Sequence, residues 1–147
     1  MDKILEIKDL HVNYYSNRRT VRAVNNLSLD MQRGRVLGLV GETGAGKTTL
    51  ALSILNMIRA PQGKIISGSI RFDNADIFGM SNQELREMRG KDIAMIFQDP
   101  MTALNPVLTI GEQIAETIFK HEKASKAEAW SKAEEMLETV GIPGVRA

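Results

Sequence analysis

Residues 41–49 read Gly-Glu-Thr-Gly-Ala-Gly-Lys-Thr-Thr, and no other stretch restricts the folding of this chain so tightly. Glycines at Gly41, Gly44 and Gly46 let the backbone take turns that side chains would obstruct, so that consecutive N–H groups can converge on an anion. The run before the loop, Val36-Leu-Gly-Leu-Val40, has no polar residue, which predicts a strand buried on both faces of a parallel sheet. After the loop, Leu50, Ile54, Met57 and Ile58 fall at helical spacing until Pro61 and Gly63 end the run. The loop is therefore expected to join a strand to a helix whose positive N-terminal end faces it.

Gly41 and Gly46 bracket four residues, and Lys47-Thr48 follow; this is the Walker A spacing. Each residue then has an expected part in holding a nucleoside triphosphate. The backbone of Gly41, Glu42, Thr43, Gly44, Ala45 and Gly46 cradles the phosphates. Lys47 reaches the β and γ phosphates as a point charge, the Thr48 hydroxyl ligates Mg²⁺, and Thr49 helps to hold the α phosphate. By itself the loop does not distinguish an ATPase from a GTPase or a small-molecule kinase.

Phosphate binding has to be local, because 19 Lys and Arg stand against 18 Asp and Glu for a net charge of +1. That balance gives no general attraction to nucleic acid or to an anionic membrane, so no nucleic-acid partner is expected. The absence of cysteine excludes a disulfide framework, a thiolate metal site and a cysteine nucleophile within these 147 residues. Charges interrupt the apolar residues of Met1 to Asp9 before a signal-peptide core can form. Elsewhere the unbroken apolar stretches, such as Ile93-Ala-Met-Ile-Phe97, are far shorter than the ~20 residues of a spanning helix. A cytoplasmic setting is the expectation, and a membrane span would have to come from another chain.

Along the chain, Ile4–Tyr14 and Val21–Met31 mix apolar and polar residues, and Leu27, Leu29 and Met31 alternate with Ser28, Asp30 and Gln32. This predicts antiparallel strands with one wet face, joined by the polar turn Ser16 to Thr20. Gly68–Phe72 predicts a further strand and Asn74–Asp76 a turn. Ser81 with Glu84, Thr109 with Glu112 and Ser125 with Glu128 predict three helix starts as capping boxes. Gly90 and Gly141 with Pro143 are placed as helix stops. The faces expected to be apolar carry Ile110, Ile114 and Ile118 in one helix, and Trp130, Ala133, Leu137 and Val140 in the next. Ile93–Phe97 predicts a second fully apolar strand, broken at Gln98-Asp-Pro100. Residues 1–97 thus form an expected nucleotide-binding core, and 98–147 the start of a helical part.

Ile96-Phe-Gln-Asp-Pro-Met-Thr-Ala-Leu-Asn-Pro106 resembles the Q-loop of ATP-binding-cassette ATPases, especially those of oligopeptide and dipeptide transporters. The resemblance runs from Leu5-Glu-Ile-Lys-Asp-Leu10 through the Walker A loop to Thr109-Ile-Gly-Glu-Gln-Ile-Ala-Glu116. It implies an α/β fold: a P-loop core with an N-terminal antiparallel part and the beginning of a helical subdomain. It also implies ATP and Mg²⁺ as ligands, Gln98 near the metal and the attacking water, and Tyr14 stacked on adenine, with Tyr15 as the alternative. The partners it implies are transmembrane permease subunits docking at the Q-loop region and a second ATPase subunit. Such a protein lies peripherally on the cytoplasmic face of the cell membrane and hydrolyses ATP to drive transport.

Other residues are set aside. Asp99 follows an apolar run, but Gln98 intervenes and Pro100 stands where the family's catalytic glutamate should be. Asp30 precedes the loop, the wrong order for a metal-binding aspartate. His11 and His121 have no ligand partners at useful spacing, and Trp130 and the eight Met residues read as packing. No Leu-Ser-Gly-Gly-Gln signature, no apolar run leading to Asp-Glu and no switch histidine occurs. These residues therefore resemble a fragment that binds ATP without hydrolysing it, whose Val36–Val40 backbone is left exposed or paired with another chain. A soluble cassette protein of DNA repair or translation is the rival reading from a different class.

Overall fold

The computed structural model of the protein describes residues 2–16, 19–99, 104–122 and 124–142. The middle of the expected Ser16–Thr20 turn, Pro100 to Ala103 of the Q-loop string, and Pro143 lie outside them. Packing divides the chain into two compact units, Met1–Arg86 and Glu87–Ala147.

The first unit is built on an antiparallel sheet in the order β2-β1-β3-β4, with β1 at Lys3–Ser16, β2 at Arg19–Gln32, β3 at Gly63–Phe72 and β4 at Ala75–Asp76. The expected alternation in β2 holds, with Leu27, Leu29 and Met31 half-buried between exposed neighbours. In β1 the buried residues change phase, from Leu5 and Ile7 to Leu10 and Val12. An extra residue makes this possible: Ile7 pairs with Leu29 but Leu10 with Leu27, and Asp9 turns left-handed at φ 47°. Without that bulge every side chain after Asp9 would point to the opposite face. Gly68 lies against the bulge, where a Cβ would stand 2.6 Å from Leu10 Cα and 2.7 Å from two carbonyl oxygens. Ile70 and Ile77 complete this core, the latter on a short 3-10 turn at Ile77–Gly79. The β3–β4 hairpin turns at Asp73 and Asn74, both with positive φ as a two-residue hairpin loop requires, one residue earlier than expected.

Helix α1, Lys47–Ile54, begins where the sequence places it and stops earlier than its apolar spacing suggests. Asn56 takes a left-handed conformation at φ 49°, and the N–H of Met57 turns back to donate to the carbonyl of Leu52. Met57 and Ile58 therefore leave the helix through an asparagine stop of the kind that glycine more often provides.

Two expected strands do not form. Residues 35–42 and 94–97 carry no ladder, and Val36, Val40 and Ile96 are 99%, 96% and 96% exposed. A strand buried on both faces needs partners along its edges, and the antiparallel sheet takes neither run.

All three capping boxes form. Helix α2 is Asn82–Met88, α3 is Ile110–His121 and α4 is Lys126–Thr139. At their starts Ser81, Thr109 and Ser125 accept from the N–H groups of Glu84, Glu112 and Glu128, whose carboxylates accept in return. Gly90 and Gly141 take positive φ after α2 and α4, as expected of stops. In the second unit α3 and α4 pack through Ala115, Ile118, Ala129 and Ala133, with Ile114 and Trp130 against them. Ile110 and Val140, assigned to the apolar faces by spacing, are exposed instead. Small residues let the helices close on each other, and Gly111 leaves room for the Trp130 ring, which a Cβ would meet at 2.7 Å.

The capping hydrogen bonds favour the ionised carboxylates. Glu112 is held below its ordinary value of 4.5 by the backbone and then the hydroxyl of Thr109, and Glu128 by the hydroxyl and then the backbone of Ser125. Because the folded value is the lower one, this contribution is present above pH 4.5 and is lost as pH falls through the depressed value. Ser125→Ala is expected to cost on the order of 1 kcal/mol, read as a lower urea midpoint from the fluorescence of Trp130, the single tryptophan. Glu128→Gln should flatten the loss of stability below pH 4.5. An unmoved midpoint for Ser125→Ala would count against the cap.

Candidate phosphate-binding site

The loop's position is set by an irregularity in β2. Val12 pairs with Val24 and Asn13 with Arg22, so Ala23 is the extra residue of a bulge with no partner on β1. Such residues leave the ladder and redirect the backbone. The carbonyl of Ala23 lies against Gly46, the N-cap of α1, where a Cβ would stand 2.1 Å from its oxygen. Gly46 also has φ 89°, so two independent constraints call for glycine there. Below this contact Leu50 is buried, and Ser53, wholly buried, donates its hydroxyl to the Thr49 carbonyl at 2.7 Å.

Within the loop, the N–H of Ala45 donates to the carbonyl of Glu42 at 3.2 Å, closing a turn around Thr43 and Gly44. Gly44 occupies the third position with φ 84°, where turns of type II call for glycine. Lys47 folds back and donates from Nζ to the carbonyls of Gly41, at 2.6 Å, and Glu42, at 2.7 Å. The ammonium thus ties the end of the loop to its entrance. The first helical hydrogen bond runs from Leu50 N–H to the Gly46 carbonyl. The N–H groups of Lys47, Thr48 and Thr49 precede it and face the loop side as orphan donors. With the macrodipole and one ammonium, they make a place for an anion. A hollow of about 230 Å³ beside the loop is bounded by Ala45, Gly46 and Lys47 on one side and by Val24, Leu39 and Leu50 on the other.

Tyr14 is connected to this loop through β2. It pairs with Val21, two residues from Ala23, a separation of about 7 Å along a strand. Its ring is half-buried, whereas Tyr15 is 41% exposed. Thr48 is exposed, so its hydroxyl is open to a metal. Among the described residues no cluster of three or more His, Asp or Glu forms a metal site. Gln98 is an exposed residue at a bend of the second unit.

Sequence reasoning missed the Ala23 bulge and the two carbonyls held by Lys47. Neither leaves a mark in residue type: an alanine in a strand and a backbone oxygen are both silent. Gly46→Ala is expected to lower stability by more than about 1 kcal/mol through positive φ alone, with the Ala23 clash added. Gly44→Ala keeps the φ penalty but meets nothing within 4 Å, so it should cost less. Thermal unfolding of the two variants decides this, and equal losses would mean that the Ala23 contact does not hold the loop.

The chain matches the ABC transporter family over residues 24–147. It is 43% identical over 143 residues to the dipeptide transport ATP-binding protein DppD of Bacillus subtilis (strain 168), covering 97% of this chain and 43% of that protein. To the oligopeptide transport ATP-binding protein OppD of the same organism it is 43% identical over 141 residues, covering 96% of this chain and 39% of the relative. It therefore spans about two fifths of the length of these curated relatives. Among solved structures it is similar to the ATP-binding cassette MJ0796, in a dimeric post-hydrolysis state bound to ADP and Pi, with a TM-score of 0.75. Their sequences are 26% identical, over 91% of this chain and 56% of that one. Together with the glycine loop seated on an antiparallel sheet, these matches show that the chain belongs to the ABC transporter family and carries part of an ABC ATPase domain.

Proposed function

We propose that this chain is the nucleotide-binding part of a peptide-transport ATPase: it holds Mg·ATP at residues 41–49 and, in its complete form, couples hydrolysis to transport. The observation that carries this reading is the loop tied by Lys47 to Gly41 and Glu42, with the start of α1 seated against Ala23. Backbone N–H groups of the loop take the phosphate oxygens, and Lys47 supplies the charge at the β and γ positions. Thr49 assists at the α phosphate. Thr48 fits a Mg²⁺ that arrives with the nucleotide, since that ion needs one protein oxygen when phosphates and water fill its other positions. Tyr14 offers an aromatic surface to adenine.

Gln98 is assigned to the metal and the attacking water. A neutral amide suits that place, because its oxygen can ligate or accept without adding charge beside the phosphates. Residues 98–106 are assigned to the contact with transmembrane permease subunits. The peptide class of the cargo and the pairing of two ATPase subunits are supported by the names of the relatives and the dimeric neighbour. A peripheral place on the cytoplasmic face belongs to the same proposal; no helix among the described residues is long and apolar enough to cross a membrane.

Lys47→Ala is expected to weaken Mg·ATP binding by roughly 1.5–3 kcal/mol, as the loss of a charged hydrogen bond does. Titration with a fluorescent nucleotide measures it. Unchanged affinity in a folded variant would defeat the assignment of the loop.

A polypeptide of these 147 residues should bind Mg·ATP yet release phosphate no faster than its Lys47→Ala variant. Only Gln98 among them is assigned beside the water, and an amide is no general base. Turnover dependent on Lys47 at ~1 per second or above would contradict this and bring Asp99 back as the carboxylate.

A further inference from the structure

Tyr14 pairs across the sheet with Gly63, the first residue of β3. A Cβ built on Gly63 would stand 2.9 Å from Cε1 and 3.3 Å from Cδ1 of the Tyr14 ring, and 2.7 Å from Cγ2 of Ile58. Gly63 has no positive φ, unlike six other glycines among the described residues, so its backbone conformation is open to any residue. Glycine is needed there for space. The ring occupies the volume that a side chain at 63 would take, with the stiff β-branched Ile58 bordering the same volume.

The segment behind the ring is fastened at both ends. Asn56 and Met57 close the end of α1 by donating to Ser53 and Leu52, Gly63 donates to Arg59 at 2.8 Å, and Tyr15 donates to Gln62 at 2.7 Å. A helix of eight residues, about 12 Å long, therefore carries the phosphate loop at one end and the support of the Tyr14 ring beyond the other.

We propose that Gly63, together with Ile58, is a positioning element for the Tyr14 ring and sets where a base can stack relative to the phosphate loop. This rests on the reading of Tyr14 as the adenine platform. Gly63 touches no nucleotide itself; it acts by leaving its own side-chain volume to the ring.

The test is calorimetric titration of the full chain with Mg·ATP and with Mg·tripolyphosphate, which has the phosphates and no base. Gly63→Ala is expected to lower ATP affinity about tenfold, within the range of one stacking contact, and to leave tripolyphosphate affinity unchanged. In a Tyr14→Ala background the same substitution should have no further effect, because a residue acting only through the ring has nothing left to act on. Ile58→Ala, which removes atoms and adds none, should show the same selective loss and carries the test if Gly63→Ala does not fold. Equal losses for both ligands, or an additive effect in the Tyr14→Ala background, would overturn the proposal in favour of a purely structural role. ATP affinity unchanged by Gly63→Ala and Ile58→Ala but lowered by Tyr14→Ala would overturn it while keeping Tyr14 as the platform. If Tyr14→Ala itself changes neither affinity, the platform reading fails and this proposal falls with it.

Discussion

The meeting of Gly46 with the carbonyl of Ala23 is the contact on which the rest of the site depends. A β-bulge removes Ala23 from the ladder, and a glycine with positive φ lets the start of α1 sit against it. That contact decides where the orphan N–H groups of Lys47, Thr48 and Thr49 stand. The loop has no strand behind it in this chain, since residues 35–42 form none. Its order comes from the turn at Glu42 to Ala45, from the Lys47 ammonium bridging two carbonyls, and from the seat on β2.

Lys47 is therefore a structural clamp, and in the proposed reading it is also the charge offered to a phosphate. An ammonium has three donors, and two are given to Gly41 and Glu42. One donor and the full positive charge remain beyond these two contacts. Tyr14 is linked to the bulge along β2 through its pairing with Val21. The antiparallel sheet thus connects an aromatic ring and a phosphate cradle that are far apart in sequence.

Local signals were legible wherever the chemistry is local. Ser81, Thr109 and Ser125 start helices because each hydroxyl has its glutamate three residues on, and no distant partner is needed. The glycine loop was legible for the same reason, and the family followed from the loop together with the string after Ile96. Val36–Val40 and Ile93–Phe97 were misread because an apolar run says what a strand wants, not whether partners exist. The early end of α1 was hidden by apolar spacing that continues past Asn56 into the connection. Ile110 and Val140 were placed inside by periodicity alone, while the actual seam selects small residues at Gly111, Ala115, Ala129 and Ala133.

The central claim is that an anion sits on the backbone of residues 41–49. Amide proton and nitrogen shifts measured by NMR on addition of Mg·ATP test it most directly, since the glycine amides of Gly41, Gly44 and Gly46 fall in a sparsely populated region of such spectra. The account predicts saturable shifts at these three glycines and at Lys47, Thr48 and Thr49, reproduced by Mg·tripolyphosphate and weakened in Lys47→Ala. A folded protein whose loop amides stay in place while residues elsewhere respond to the nucleotide would contradict it.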